Sequence, residues 1–136
     1  NFKKKFNYKY STVTTNGTTA LHLAVMSLDL NKGDEVIVPN LTYVAPCNAV
    51  TYSGAKIILV DVNPDTWLMD KKAILKHITK KTKAILLVHL YGFTYDLDEI
   101  NNLKKKFNIK IIEDCAEAFG TKIKLLLFLL YLLFVV

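Results

Sequence analysis

Short apolar runs alternate along the chain with segments whose apolar residues recur at helical spacing, and Gly, Pro, Asn and Asp residues lie between them. Such punctuation marks the turns between elements. The pattern predicts strands and helices in alternation, which is typical of an α/β domain with a mainly parallel sheet flanked by helices. The predicted strands are Ser11–Thr15, Glu35–Val38, Lys56–Val60, Ala84–His89 and Lys110–Glu113, and the predicted helices are Thr18–Leu30, Tyr43–Tyr52, Asp70–Ile78 and Asp96–Phe107.

Three of the predicted strands are near-continuous apolar runs: Val36–Val38, Ile57–Val60 and Ile85–Val88. Strands in parallel sheets read this way because helices cover both of their faces. We therefore expect these three strands to be buried on both sides.

The pattern breaks near the end of the chain, where residues 125–136 are apolar apart from the hydroxyl of Tyr131 and have no strand or helix period. As a helix this tail would span about 18 Å, against a hydrocarbon core of about 30 Å, so membrane crossing is not expected. The alternatives are a buried core helix, an interfacial segment, or a tail that is not the native continuation of the domain. We prefer the last and expect one domain over residues 1–124.

The charge distribution argues against a nucleic-acid partner. The net charge of +6 comes from 18 basic residues that are all lysine, and such a protein lacks the guanidinium fork that grips phosphates and bases. We expect the lysine clusters to lie on solvated helix faces. Two distant cysteines indicate neither a metal site nor a disulfide, and the first residues lack the apolar segment of a signal peptide, so a cytoplasmic setting is predicted.

Ligands of open α/β sheets bind at the carboxyl ends of the strands, which draws attention to two helix starts. Gly17 and Thr18 open the first predicted helix, where free amides, hydroxyls and the helix dipole suit a phosphate. The alternative is an ordinary helix cap by Asn16 or Thr18. Tyr43 opens the next helix and offers a ring on which a planar cofactor can stack, or else it is a half-buried residue at the edge of the core.

Two acids, Glu113 and Asp114, stand where the apolar run of the last predicted strand ends, although a buried carboxylate needs a partner. A protonated pyridine nitrogen is such a partner for Asp114, and this pairing keeps pyridoxal phosphate (PLP) an effective electron sink. The alternative role of Asp114 is a helix cap. His89, at the end of the fourth strand, is a candidate site-lining residue, with a structural histidine as the alternative.

The order of these segments resembles the DegT/DnrJ/EryC1/StrS aminotransferases, whose fold is similar to that of aspartate aminotransferase. The segments are Thr15–Ala24, Gly33–Pro39, Thr42–Ala45, Val88–Gly92 and Glu113–Ala118. The resemblance implies a partial large domain of the PLP-dependent transferase fold (fold type I) over residues 1–124. It also implies PLP as cofactor, with its phosphate on Gly17 and Thr18, its ring on Tyr43 and its pyridine nitrogen on Asp114. Glu117 stands where many members have Gln near the cofactor hydroxyl, and Phe119 stands where His is usual.

The resemblance further implies transamination of a nucleotide-linked 4-keto-6-deoxy sugar, with glutamate as the expected amino donor, in a homodimer. Members of the family continue from this point to a Ser-Phe-x-x-x-Lys segment with the Schiff-base lysine, and the tail 125–136 replaces that segment. Lys122 and Lys124 precede its place, so no catalytic residue is assigned and we expect this chain to be inactive alone. Two alternatives stay open: a noncatalytic module that binds PLP or a nucleotide sugar, and a remnant attached to a membrane through 125–136. A Rossmann domain is disfavoured because no G-x-G-x-x-G follows the first strand.

Overall fold

The computed structural model describes residues 9–118, 121–123, 126–127 and 133–135. Four helices alternate with the first four strands, and a short 3-10 turn, Leu90–Gly92, follows the third strand. The helices are α1 (Gly17–Met26), α2 (Ala45–Tyr52), α3 (Lys71–His77) and α4 (Leu97–Phe107). The strands are β1 (Glu35–Pro39), β2 (Lys56–Val60), β3 (Thr82–Val88), β4 (Lys110–Asp114), β5 (Lys122–Ile123), β6 (Leu126–Leu127) and β7 (Leu133–Val135).

The main sheet has the strand order β2-β1-β3-β4-β7. Its first four strands are parallel, and β7 pairs antiparallel with β4. The prediction of a mainly parallel sheet flanked by helices is therefore confirmed. The parallel register matters for function, because it brings the carboxyl ends of β1, β3 and β4 to one edge of the sheet.

Two apolar cores cover the two faces of this sheet. On the front face, α1 and α2 pack through Leu21, Val25 and Val50 against alternate strand residues such as Val38, Leu86 and Ile112. On the back face, α3 and α4 pack through Ile74, Ile100 and Leu103 against the intervening residues Ile37, Ile85 and Ile111. Because side chains alternate across a strand, neighbouring residues of β3 and β4 belong to different cores.

The sequence explains the start and the end of helix α4 most clearly. Asp96 accepts hydrogen bonds from the backbone N–H groups of Asp98 (2.9 Å) and Glu99 (3.3 Å), which caps the start. Acids occupy the first turn and lysines the last, in agreement with the helix dipole. Asn108 then takes a left-handed conformation (φ 51°) and ends the helix.

The predicted first strand, Ser11–Thr15, is wrong: no strand pairing includes these residues in the part of the chain that the structure describes. Val13 is 94% exposed, so β propensity is not supported here by burial or by a neighbouring strand. The Thr14 hydroxyl instead donates to the carbonyl of Asn16 at 3.0 Å, a local bond that prepares the helix start.

Strand β2 is less covered than its apolar sequence predicts. It forms the edge of the sheet, and Leu59 is 49% exposed while Ile57 and Ile58 are half-buried. The expectation of burial on both sides is thus confirmed for β1 and the core of β3 but wrong for β2. Edge position, which composition does not reveal, accounts for the difference.

The apolar tail contributes β6 and β7 to the described part of the chain. Leu133, Phe134 and Val135 pair with Asp114, Glu113 and Ile112 of β4. Within the described residues no helix combines the length and the apolar character needed to span a bilayer.

Candidate functional site

A pocket of about 280 Å³ opens at the edge of the sheet where α1 and α2 begin and where β3 and β4 end. All five residues that the sequence predicts for a cofactor line it, and they come from three separate segments: Gly17, Thr18, Tyr43, Asp114 and Glu117. Leu21, Val88 and Leu90 give it apolar walls. A mostly apolar pocket with a few convergent polar groups is what small-molecule sites share.

The phosphate candidate is the start of α1. Asn16 caps the helix, since its side chain accepts from the Thr19 backbone N–H at 2.9 Å and from the Thr19 hydroxyl at 3.0 Å. Thr18 is exposed to the pocket, and a Cβ added at Gly17 would meet no atom within 4 Å. Capping by Asn16 and anion binding by the next two residues are therefore compatible, because the helix start keeps further amide donors and the positive end of its dipole.

The ring of Tyr43 lies at the side of the pocket, just before α2. It is 74% exposed, so the alternative of a half-buried core residue is wrong. Pro46 lies in the first turn of α2, where its missing N–H is tolerated. Ala49 and Val50 are fully buried and pack this helix onto the front core, whereas Tyr43 precedes the helix and its ring stays open to a ligand.

Asp114 ends β4 on the front face and presents its carboxyl group to the pocket. Burial raises the pKa of this carboxyl group, while a hydrogen bond from the Ala116 amide (3.0 Å) and the charge of His89 lower it and the charge of Glu117 raises it. Burial has the largest effect, so the pKa of Asp114 is raised. A cation in the pocket would lower this pKa again, since an opposite charge favours the ionised carboxylate.

Glu117 is held in position by a loop rather than by another side chain. Its Oε2 accepts the backbone N–H of Tyr91 at 2.8 Å. Tyr91 has a left-handed backbone (φ 50°) and is followed by Gly92 with φ 85°, close to the carbonyl oxygen of Glu117. A bulky residue rarely adopts this conformation, and here it directs the Tyr91 amide toward the Glu117 carboxylate.

His89 does not line the pocket. It is fully buried on the back face, where its Nε2 lies 2.9 Å from Oε2 of Glu113 and its ring packs edge-on against Tyr95. The two neighbouring acids therefore have different surroundings: Asp114 faces the pocket and Glu113 faces His89. Strand alternation is the sequence signal that separates them, and it also identifies the His89–Glu113 pair, which the sequence analysis missed.

Cys115 adds a third potential ligand next to this pair, because donor atoms of His89, Glu113 and Cys115 all lie within 4.8 Å of one another. A thiol binds metals as the thiolate. Burial, with the charges of Glu113 and Asp114, raises the pKa of the Cys115 thiol. The thiol therefore favours its neutral form, and we interpret the cluster as a histidine–carboxylate pair beside a buried thiol.

Comparison with known proteins agrees with this geometry. The family model of the DegT/DnrJ/EryC1/StrS aminotransferase family matches residues 1–124. The chain belongs to this family. Among curated relatives, GDP-perosamine synthase of Escherichia coli O157:H7 is 51% identical over 123 residues, which are 90% of this chain and 34% of the relative. The dTDP-3-amino-3,6-dideoxy-alpha-D-galactopyranose transaminase of Aneurinibacillus thermoaerophilus is 44% identical over 88% of this chain and 34% of the relative.

Solved structures of PLP-dependent aminotransferases of fold type I have the same architecture. A GDP-4-keto-6-deoxymannose-3-dehydratase with a trapped PLP-glutamate geminal diamine superposes with a TM-score of 0.84 at 32% identity, over 90% of this chain and 33% of that one. The chain thus spans about a third of the length of the relatives that it matches.

Proposed function

We propose that a protein containing this chain transfers an amino group from glutamate to a nucleotide-linked 4-keto-6-deoxy sugar, with PLP as its cofactor. The observation that carries the proposal is the meeting of five residues from three segments in one pocket: Gly17, Thr18, Tyr43, Asp114 and Glu117. The names of the GDP-linked relatives support this sugar class. The dTDP-linked relative leaves the nucleotide undecided.

The pocket residues fit the parts of PLP one by one. The start of α1, with Gly17 and the Thr18 hydroxyl, binds the phosphate through amide donors and the helix dipole. The exposed ring of Tyr43 stacks on the pyridine ring and excludes water from one side. Asp114 holds a proton on the pyridine nitrogen through a charge-assisted hydrogen bond.

Glu117 lies at the same edge of the pocket and is oriented by the Tyr91 amide. Its place near the cofactor hydroxyl makes it a hydrogen-bond acceptor there, where a Gln would offer both donor and acceptor. When bound, PLP supplies an electron sink for electrons released at the substrate carbon. The residues described here bind and orient it.

The 136 residues alone are proposed to bind the cofactor without turnover. The lysine that would hold PLP and move a proton at the substrate carbon belongs to a Ser-Phe-x-x-x-Lys segment that the resemblance places after the last conserved motif. We also propose that the longer protein is a homodimer, as the family resemblance implies. Activity is therefore expected only from a protein with the remaining two thirds of the family length.

Cofactor binding is best measured with pyridoxamine phosphate (PMP), because the aldehyde of PLP reacts with any of the 18 lysines. We expect the chain to bind PMP, observed by equilibrium dialysis, and Asp114→Asn to weaken this binding about tenfold or more. Asp65→Asn is the matched control, since Asp65 is an exposed acid that does not line the pocket. Binding that is absent, or equal in the two variants, would contradict the assignment of the pocket.

The substrate class needs the longer protein. Incubated with glutamate and either a GDP-linked or a dTDP-linked 4-keto-6-deoxy sugar, it should release 2-oxoglutarate and form the amino sugar with one of the two. Chromatography with mass detection follows both products. Lack of amino transfer to either sugar, in a protein that binds PLP, would sink the proposed substrate class while leaving the cofactor assignment intact.

A further inference from the structure

The back of the sheet carries a buried histidine–carboxylate contact directly behind the candidate cofactor site. His89 is fully buried and Glu113 nearly so, and their side chains meet at 2.9 Å. Burying a histidine and a carboxylate is costly unless they satisfy one another. A pair with this cost, one residue away from Asp114 along β4, calls for a functional explanation.

A backbone hydrogen bond also joins His89 to the end of β4. The N–H of His89 donates to the carbonyl oxygen of Asp114 at 3.0 Å, extending the β3–β4 ladder in which Val88 faces Asp114 and Leu87 faces Glu113. Glu113 is therefore held by the His89 side chain and Asp114 by the His89 backbone. One residue thus fixes both acids at the end of β4 relative to β3.

We propose that His89, held in place by Glu113, is a positioning residue for Asp114: from behind the sheet it fixes the end of β4, directs the Asp114 carboxyl group into the pocket and favours its ionised form. The inference rests on the proposed function, in which Asp114 meets a cationic pyridine nitrogen. It assigns a role to two buried groups that do not touch the cofactor themselves.

Electrostatics supports the same role. The charge of His89 lowers the pKa of Asp114 and so opposes burial, which raises it, while the charge of Glu117 adds to the rise. The other titratable groups around the pair are Tyr95, whose pKa burial raises to about 12, and Cys115, whose thiol pKa is raised chiefly by burial. Both are neutral near pH 7, so the charges that act on Asp114 here are those of His89 and Glu117.

The decisive measurement follows the Asp114 carboxyl carbon by NMR in the free chain as the pH is lowered. In His89→Gln the amide still donates to Glu113 but the positive charge is lost, so the midpoint of Asp114 should rise. In Glu113→Gln the amide oxygen still accepts from His89 and the imidazole itself is kept, so the midpoint should not rise. A purely structural pair would give the same change in both variants.

His77→Gln is the matched control, because His77 is an exposed histidine of α3 and not part of the pair. It should leave the midpoint of Asp114 unchanged. If His89→Gln does not fold, the double variant His89→Gln/Glu113→Gln removes both charges without leaving one buried alone, and its midpoint should rise as well. A midpoint equal to that of the unmodified chain in whichever of these variants folds would overturn the inference.

PMP binding supplies the second readout and separates the two hypotheses. Measured at a pH below the Asp114 midpoint, His89→Gln should bind PMP about tenfold more weakly for each unit by which that midpoint rises, because the ionised fraction of Asp114 falls by that factor. If the unmodified chain binds no PMP, the proposed function fails, yet the titration of the free chain still decides the positioning role. If PMP binds but the Asp114 midpoint does not respond to His89→Gln, the positioning role fails and the cofactor site stands.

Discussion

Two adjacent carboxylates, Glu113 and Asp114, lie on opposite faces of the sheet and have different surroundings. On the back face, Glu113 has its partner within the chain, since His89 lies 2.9 Å away. On the front face, the carboxyl group of Asp114 accepts a hydrogen bond from the backbone N–H of Ala116 and lines an open pocket. The pKa of Asp114 is raised by burial. One strand thus supplies both an internally satisfied acid and an acid whose surroundings favour an added cation.

This difference separates a stability role from a binding role. Groups that are paired inside the fold contribute to folding and are costly to break. Groups left incompletely satisfied at a pocket cost stability and become useful only when a ligand arrives. Substitutions on the two faces should therefore differ in which property they change, and the following predictions test this from the largest effect to the smallest.

The largest effect is expected from His89→Leu, which leaves the Glu113 carboxylate buried without its partner. The free energy of unfolding should fall by about 3–5 kcal/mol, measured by urea denaturation. The double variant His89→Leu/Glu113→Leu is the control and should recover most of the loss, because no buried charge is left alone. A double variant as unstable as the single one would show that the pair acts mainly through its shape.

A smaller loss is expected from Tyr95→Phe on the same face. The Tyr95 hydroxyl oxygen accepts the backbone N–H of Met69 at 3.1 Å in a buried position. Removing it leaves that donor unsatisfied, so the free energy of unfolding should fall by about 1–3 kcal/mol. Tyr91→Phe, at a ring that is 66% exposed, is the control and should unfold at the same urea concentration as the unmodified chain.

On the front face, Asn16→Ala should cost about 1 kcal/mol, since it removes the cap of α1. Asn16→Ser keeps a capping oxygen and should differ from the unmodified chain by only a few tenths of a kcal/mol. Thermal unfolding followed by circular dichroism resolves the two. Equal losses in both variants would mean that the interaction of Asn16 with the Thr19 hydroxyl, rather than the helix cap, is what matters.

The smallest effect, and one of opposite sign, is expected from Asp114→Asn. The folded-state pKa of Asp114 is raised above its unfolded value, so the folded chain binds more protons in between and loses stability as the pH rises through that window. Above the folded pKa the Asn variant should therefore be more stable than the unmodified chain, and the difference should vanish below the unfolded pKa. Urea midpoints at a series of pH values measure it, with Asp65→Asn as the variant that should show no gain.

The sequence was sufficient for the parts that local physics controls. Apolar runs predicted β1 to β4 to within one or two residues, and the capping pattern at Asp96 predicted the start of α4. The strand-end rule predicted Tyr43 and Asp114, because carboxyl ends of parallel strands meet at one edge. Gly17 and Thr18 were predicted from a helix start, and Glu117 came from the family resemblance. The resemblance to the family was confirmed by the match over residues 1–124.

Only the tertiary structure decided which neighbours each residue meets. Ser11–Thr15 has a strand-like composition but no strand beside it among the described residues. Strand β2 is as apolar as β1 but lies at the edge of the sheet that these residues form. His89 follows strand β3, which ends at the pocket, yet its side chain lies on the other face of the sheet and contacts Glu113. Pairing, edge position and facing depend on contacts between residues far apart in sequence, here 24 positions for His89 and Glu113. Local propensity carries no information about such contacts. The sequence therefore determined where the helices and strands form, and the assembled sheet determined which residues meet.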